Sequence, residues 1–229
     1  MVVKALLQVV TILVATSVAT SSEFYQIRWK DIDGEDLDFS TFKNKVVVVV
    51  NVASQCGYTL SAYKALNEAH RLLGDEVVFL AVPSDEFKQE LPTASEVSKF
   101  TKEDMGVEFI VSDKALLNGE SSHSLYRFLK GEDVESCRNM HASCDSWADV
   151  GECEKNPNYM LEHCKPACKV CTPKYKFGGE VKWNFEYFVV NKRGDVVNRY
   201  PTGTLMNDQS ILSYLRKLAA EDVEEECSQ

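Results

Sequence analysis

Basic charge is scarce in this chain: 25 Lys and Arg stand against 35 Asp and Glu over 229 residues, a formal net charge of −10. No basic stripe offsets that excess, so neither nucleic acid nor an anionic membrane surface is an expected partner. Histidine is as thin. His70, His123, His141 and His163 stand alone, without the spacing of a metal site, and no metal is expected. Internal repeats are absent, and the one biased tract is the acidic tail at 222–229, which reads as a solvated end. No Asn-X-Ser/Thr sequon occurs, and no Lys-Asp-Glu-Leu ending supports retention in the endoplasmic reticulum. Outside a cluster between 137 and 171, cysteine is limited to Cys56 and Cys227.

What is present begins with a leader. Lys4, the apolar stretch Ala5–Ala15 and the small residues Ser17 and Ala19 read as a secretory signal over 1–19, cleaved after Ala19 or, second choice, Ser21. The stretch is short for a membrane span. A secreted, extracellular protein is expected, where disulfides persist. The remaining length suits one good core and a small extra module.

The chain is organised around Lys45–Thr59. Val46–Val50 is an unbroken β-branched run, which suits a strand buried on both faces of a mostly parallel sheet. Cys56-Gly57 then turns into a helical pattern carrying Leu60, Tyr63, Leu66, Ala69 and Leu73, with Gly74 as its stop. Cys56 thus lies between a central strand and a helix N-terminus, where orphan N–H groups and the helix dipole favour a thiolate. A lone cysteine is more often a small buried apolar residue. Strand, cysteine, glycine and helix alone leave those readings even.

The other elements follow the same logic. Phe24–Trp29 reads as a short aromatic strand, with a turn at Asp33-Gly34. Glu76–Pro83 is a second buried strand, followed by the polar loop 84–92. Thr93 or Ser95 caps a helix reaching about Met105, Phe109–Val111 is a short edge strand, and Ser121–Lys130 is a helix. Val181–Val190, the turn 191–195 and Val196–Tyr200 form a hairpin, and a last helix starts at Asn207 or Asp208. Between 137 and 171 six cysteines (Cys137, Cys144, Cys153, Cys164, Cys168, Cys171) coincide with a drop in apolar content. That is a small disulfide-held module dropped into a larger domain. The order of elements predicts a thioredoxin-like α/β sandwich with one insertion.

Three stretches give the host a likeness. Asn51-Val-Ala-Ser-Gln-Cys-Gly-Tyr-Thr59, Leu80-Ala-Val-Pro83 with its loop, and Trp183-Asn184-Phe185 resemble the glutathione peroxidase family, over 23–136 and 173–221. The likeness is to its cysteine-type members. It implies a peroxidatic Cys56 that attacks the O–O bond and becomes a sulfenic acid. The reaction needs a thiolate and donors aimed at developing charge. In the family these are an indole N–H, an Asn amide and a Gln amide; Trp183 and Asn184 match the first two. The family's Pro-Cys-Asn-Gln-Phe loop is Pro83-Ser84-Asp85-Glu86-Phe87 here, so Glu86 stands where Gln is expected. An ionised Glu86 at about 4–5 Å from a thiolate would repel it by roughly 3–4 kcal/mol at an effective dielectric near 20. Three outcomes stay open: Glu86 is protonated and donates, Gln89 substitutes, or Cys56 is a poor nucleophile. The helix that carries a resolving cysteine in two-cysteine members reads Glu96-Val-Ser-Lys-Phe100, so glutathione or a thioredoxin-fold protein is the implied reductant, with no bound cofactor. Cys227 reads as a free or intermolecularly bridged tail thiol.

The insert at 137–171 resembles the ShK toxin (ShKT) domain through Cys144–Cys153, Asn156-Pro-Asn-Tyr-Met160 and Cys164-Lys-Pro-Ala-Cys168-Lys-Val-Cys171. That likeness implies the pairs Cys137–Cys171, Cys144–Cys164 and Cys153–Cys168. Toxin members block potassium channels through a Lys-Tyr pair, and Asn158-Tyr159 stands there, which argues against channel block. An extracellular protein partner, or a stability role, is the better expectation. Asn139 replaces the module's usual Asp. In tetrameric relatives an assembly loop precedes the Trp-Asn pair; the module occupies that region, so a monomer or weak dimer is expected, which light scattering decides. Arg193-Gly194-Asp195 spells an adhesive tripeptide at a hairpin tip, where Gly and Asp also serve the turn itself.

The expected function is a secreted thiol peroxidase reducing hydrogen peroxide or organic hydroperoxides. The rival is a catalytically weak peroxidase scaffold acting as a secreted binding protein through its ShKT module.

Overall fold

The computed structural model describes residues 22–131, 139–165, 167–170 and 177–222. The expected leader, Cys137, Cys171 and Cys227 lie outside these residues.

The valine run forms β3 (Val46–Val52), every residue of it buried. Its two faces feed two separate cores, as a period of two requires. Val46, Val48, Val50 and Val52 join a cluster with α1 (Thr59–Leu73) and α7 (Gln209–Ala220). Val47 and Val49 join Phe24, Phe39 and residues of α3 (Ser124–Lys130) on the opposite face. β3 pairs in parallel with β4 (Val77–Pro83) and antiparallel with β6 (Tyr187–Val190). Adding β5 (Ile110–Val111) and β7 (Val196–Tyr200) gives one sheet in the order β5-β4-β3-β6-β7. A separate hairpin pairs β1 (Arg28–Lys30) with β2 (Asp36–Asp38).

Three sequence expectations change. The aromatic strand starting at Phe24 is instead a 3-10 turn over Glu23–Gln26. Phe24 and Tyr25 both pack into the same core cluster, and consecutive residues cannot share one face of a strand. Leu60, placed on the inner stripe of α1, is 71% exposed; Thr59, Ala62 and Tyr63 fill that face. The run Val181–Val190 is strand only from Tyr187, because 181–186 is bent by Phe185 at φ 62. The inserted module, read in sequence only as a disulfide-held unit, holds three short helices: α4 (Cys144–Asp149), α5 (Glu152–Lys155) and α6 (Pro157–His163). They are too short to show a period in sequence.

α2 (Ala94–Lys99) starts on a capping box between Thr93 and Glu96 and continues into a wider π-turn over Phe100–Asp104. Gly74 closes α1 with φ 58.

Candidate active site

Cys56 lies in the turn from β3 into α1, 8% exposed and unpaired with any other cysteine. Thr59 staples this turn: its Oγ1 accepts the Cys56 N–H at 3.1 Å and donates to the Ala53 carbonyl at 2.7 Å. The Thr59 N–H donates to the Cys56 carbonyl at 3.0 Å, so the thiol's residue is fixed three positions ahead of the helix.

A second segment, 84–92, lies against the turn. The Gln55 N–H donates to the Gln89 carbonyl at 2.9 Å. The Glu90 carboxylate takes three donors on Oε1: the Ser54 N–H at 3.1 Å, the Leu91 N–H at 2.8 Å and, shorter still, the Ser54 hydroxyl. Burial raises the Glu90 carboxyl above the usual carboxylate range, against the pull of those hydrogen bonds and of Lys114.

The third piece is the Trp183-Asn184-Phe185 turn. The Asn51 side chain, at the end of β3, grips it. Asn51 Nδ2 donates to the Trp183 carbonyl at 3.0 Å, and its Oδ1 accepts the Glu186 N–H at 3.0 Å. The Phe185 N–H reaches the Asn51 carbonyl at 2.7 Å. Below lies a buried ion pair, Arg199 Nη2 to Glu186 Oε2 at 2.6 Å. Glu186 Oε1 accepts the backbone N–H groups of Lys182 and Trp183. Arg199 also donates to the carbonyls of Phe177, Gly178, Gly179 and Glu180, the segment returning from the insert. Trp183 is 40% exposed and rests on Phe87, ring centroids 5.1 Å apart.

Glu86 and Gln89 go different ways. Glu86 Oε2 accepts the Leu117 N–H at 3.1 Å, and Oε1 takes Asn118 Nδ2 at 3.4 Å. Its carboxylate therefore serves the 117–118 loop. Gln89 Oε1 accepts from Asn184 Nδ2 at 2.8 Å, with Asn184 wholly buried. That pairing leaves the Gln89 amide N–H groups as donors. So Cys56's turn, Gln89 and Asn184 are linked through one segment, and Glu86 is committed elsewhere. Sequence reading missed Glu90, Asn51, Glu186 and Arg199. An acidic residue in a polar loop looks solvated, and only the fold reveals that Glu90 is 7% exposed.

In the insert, Cys144 is bonded to Cys164 and Cys153 to Cys168. Asn139 replaces the usual acid's contact with hydrogen bonds, donating to Asp145 Oδ1 at 3.0 Å and accepting the Ala167 N–H at 3.3 Å. Trp147, Val150, Glu152, Asn156, Tyr159 and Met160 line a cleft of about 400 Å³. The Arg193-Gly194-Asp195 tip is not a free loop. Gly194 is buried, its carbonyl accepts from the Ser22 hydroxyl at 3.0 Å, and Tyr25 Oη donates to the Lys192 carbonyl at 2.8 Å. Among the described residues no group of three or more His, Cys, Asp or Glu is placed to hold a metal ion.

Comparison with known proteins gives a consistent set of likenesses. A family model described as glutathione peroxidase matches residues 24–130, and one described as ShK domain-like matches 136–171. The chain is 30% identical to probable glutathione peroxidase 5 of Arabidopsis thaliana, over 91% of this chain and 98% of that one. It is 31% identical to glutathione peroxidase-like peroxiredoxin 2 of Saccharomyces cerevisiae, over 86% and 99%. A crystal structure described as Trgpx in apo form superposes with a TM-score of 0.56 at 24% identity, covering 88% of this chain and 98% of that one. The superposition establishes the fold, a thioredoxin-like α/β sandwich carrying a small disulfide-rich insertion.

Proposed function

We infer the chemistry from one premise: this chain belongs to the glutathione peroxidase family and is a glutathione peroxidase-like peroxidase. In our reading Cys56 is the peroxidatic residue. Its thiolate attacks the distal oxygen of hydrogen peroxide or an organic hydroperoxide. The S–O bond forms as the O–O bond breaks, the leaving oxygen takes a proton and departs as water or alcohol, and Cys56 becomes a sulfenic acid. Two thiols of glutathione, or the dithiol of a thioredoxin-fold protein, then return it to the thiol and release water, themselves becoming a disulfide.

The observation that carries this reading is the Gln89–Asn184 hydrogen bond at 2.8 Å, made from a segment that also holds Gln55. It supports reading Asn184, Trp183 and the Gln89 amide as the groups that serve Cys56, with Gln89 as the amide donor in place of Glu86. Stopped-flow oxidation by hydrogen peroxide tests it. Cys56→Ser abolishes the fast phase, and Gln89→Ala slows it by about 10²-fold, the usual loss of one aimed donor. A wild-type rate no faster than a free thiol's would sink the peroxidase reading.

We further read the protein as secreted, on the leader at 1–19 and the disulfide-rich insert. Detection in cells but never in medium, with residues 1–19 retained, would overturn that. A second role rests on the module's cleft: Tyr159 at 40% and Val150 at 61% exposure offer an apolar contact to an extracellular protein. Loss of the protein from cell surfaces on Tyr159→Ala, with peroxidase rate unchanged, is the expected result; retention would dismiss it.

A further inference from the structure

Glu90 is a buried carboxylate beside the Cys56 turn that takes no part in the proposed reaction. Its Oε1 carries three donors from two segments, Ser54 on one side and Leu91 on the other. Its Oε2 is buried with no hydrogen-bond partner among the described residues. Around it lie Lys114, whose Nζ donates to the Leu91 carbonyl at 2.6 Å, Asp85, whose Oδ1 accepts the Glu90 N–H at 3.4 Å, and Tyr63 of α1, buried with its hydroxyl unpartnered. A buried carboxylate with one oxygen uncompensated is costly. The adjacent residue on one side, Gln89, holds Asn184. On the other side, two residues beyond Ser54, stands Cys56.

We propose that Glu90 is a positioning residue for the peroxidase reaction: by gripping Ser54 it fixes the Cys56 turn in register with Gln89 and Asn184. The proposal rests on Cys56 as the nucleophile. Because all three donors converge on one oxygen, the grip needs a carbonyl-type acceptor and not a charge. Glutamine at 90 supplies one and alanine does not. A loosened turn has two effects of opposite sign. The thiol loses its place against the donors, so reaction with peroxide slows. A thiol only 8% exposed becomes easier to reach, so alkylation speeds up.

The test uses the full chain with Glu90→Gln, Glu90→Ala and Ser54→Ala, each checked for a native melting transition. Two rates are read: oxidation of Cys56 by hydrogen peroxide and its alkylation by iodoacetamide. In Glu90→Ala, oxidation falls by about 10–100-fold, as expected for a misplaced reacting group, and alkylation rises by about tenfold. Glu90→Gln stays within about threefold of wild type in both rates, because its carbonyl keeps the acceptor. Ser54→Ala moves both rates in the direction of Glu90→Ala, and decides the matter if that variant does not fold. Folded Glu90→Ala or Ser54→Ala proteins with both rates at wild-type values overturn the proposal, as does Glu90→Gln behaving like Glu90→Ala. A wild-type oxidation rate equal to that of a free thiol refutes the peroxidase reading instead. The alkylation contrast alone then judges whether Glu90 holds the turn.

Discussion

Glu86 and Gln89 differ by three positions and by one hydrogen-bond network. The Glu86 carboxylate faces the Leu117 N–H and Asn118 Nδ2, so its charge is spent on a loop 31 residues away in sequence. Glu86→Gln keeps an acceptor for Leu117, and the expected change in the rate of Cys56 oxidation is less than about threefold, since no aimed donor is gained or lost. A rise of tenfold or more would mean that Glu86 opposes the thiolate, and would return it to the site. At this scale the sequence singled out Cys56, Trp183 and Asn184 only through a family resemblance, since strand, cysteine, glycine and helix alone left Cys56 between nucleophile and buried apolar residue. It left Glu86 against Gln89 open, because the choice is made by Leu117, Asn118 and Asn184, none of which is near in the chain. Glu90 was not legible at all: its burial is created by the fold around it.

Elements carry their own dependences. α3 starts on His123, whose Nδ1 accepts the Leu125 N–H at 3.2 Å while its ring stacks on Trp29 at 3.8 Å. Burial holds this imidazole's pKa below its ordinary 6.5, aided by Arg127 and opposed by Asp113. The sign follows from linkage. Below pH 6.5 the unfolded chain takes up a proton that the folded chain refuses until lower pH, so stability falls as pH drops through that window. A protonated ring also loses the acceptor that caps α3. His123→Asn, which keeps a capping oxygen, flattens the melting temperature between pH 7 and pH 5; an unchanged slope would assign the dependence to other groups. The β6–β7 hairpin depends on Gly194 at φ 84, where an added Cβ would sit 2.6 Å from Ser22 Cβ. Gly194→Ala costs about 2–4 kcal/mol from left-handed strain and overlap. Urea unfolding measures it, and a loss under 0.5 kcal/mol would mean that residue 22 does not hold the tip. The unbroken run Val46–Val50 and the Gly74 stop were legible at this scale, and the start of α2 was narrowed to Thr93 or Ser95. Leu60 was not: apolar spacing cannot tell which side of α1 faces the sheet once Ala62 and Tyr63 supply an alternative stripe.

The whole molecule joins two modules at a closed gap. A Cβ on Gly178 would lie 3.1 Å from the Lys130 carbonyl oxygen, so the host chain leaves and returns at one place. Arg199 gathers the returning carbonyls of 177–180 and ties them through Glu186 to the Trp183 N–H. The host therefore closes on itself. Replacing 132–176 by a short Gly-Ser linker leaves the peroxide rate within about twofold, since lengthening or shortening a loop changes closure entropy by only about 0.6 kcal/mol per doubling. A tenfold loss would show that the module supports the site. The six-cysteine spacing made the insertion legible in sequence; the closed gap was not, because it needs two backbones brought together.

The strand order has a consequence during synthesis. β3 is central in the finished sheet, flanked by β4 and β6. Yet β4 leaves the ribosome soon after it, whereas Tyr187 follows Val52 by 135 positions (187 − 52), with the insert between. At about 5–20 residues per second that is roughly 7–27 s in which a strand of consecutive valines presents an unpaired edge. Such an edge is an aggregation template, and nascent chains stalled before β6 are the species on which chaperones must act.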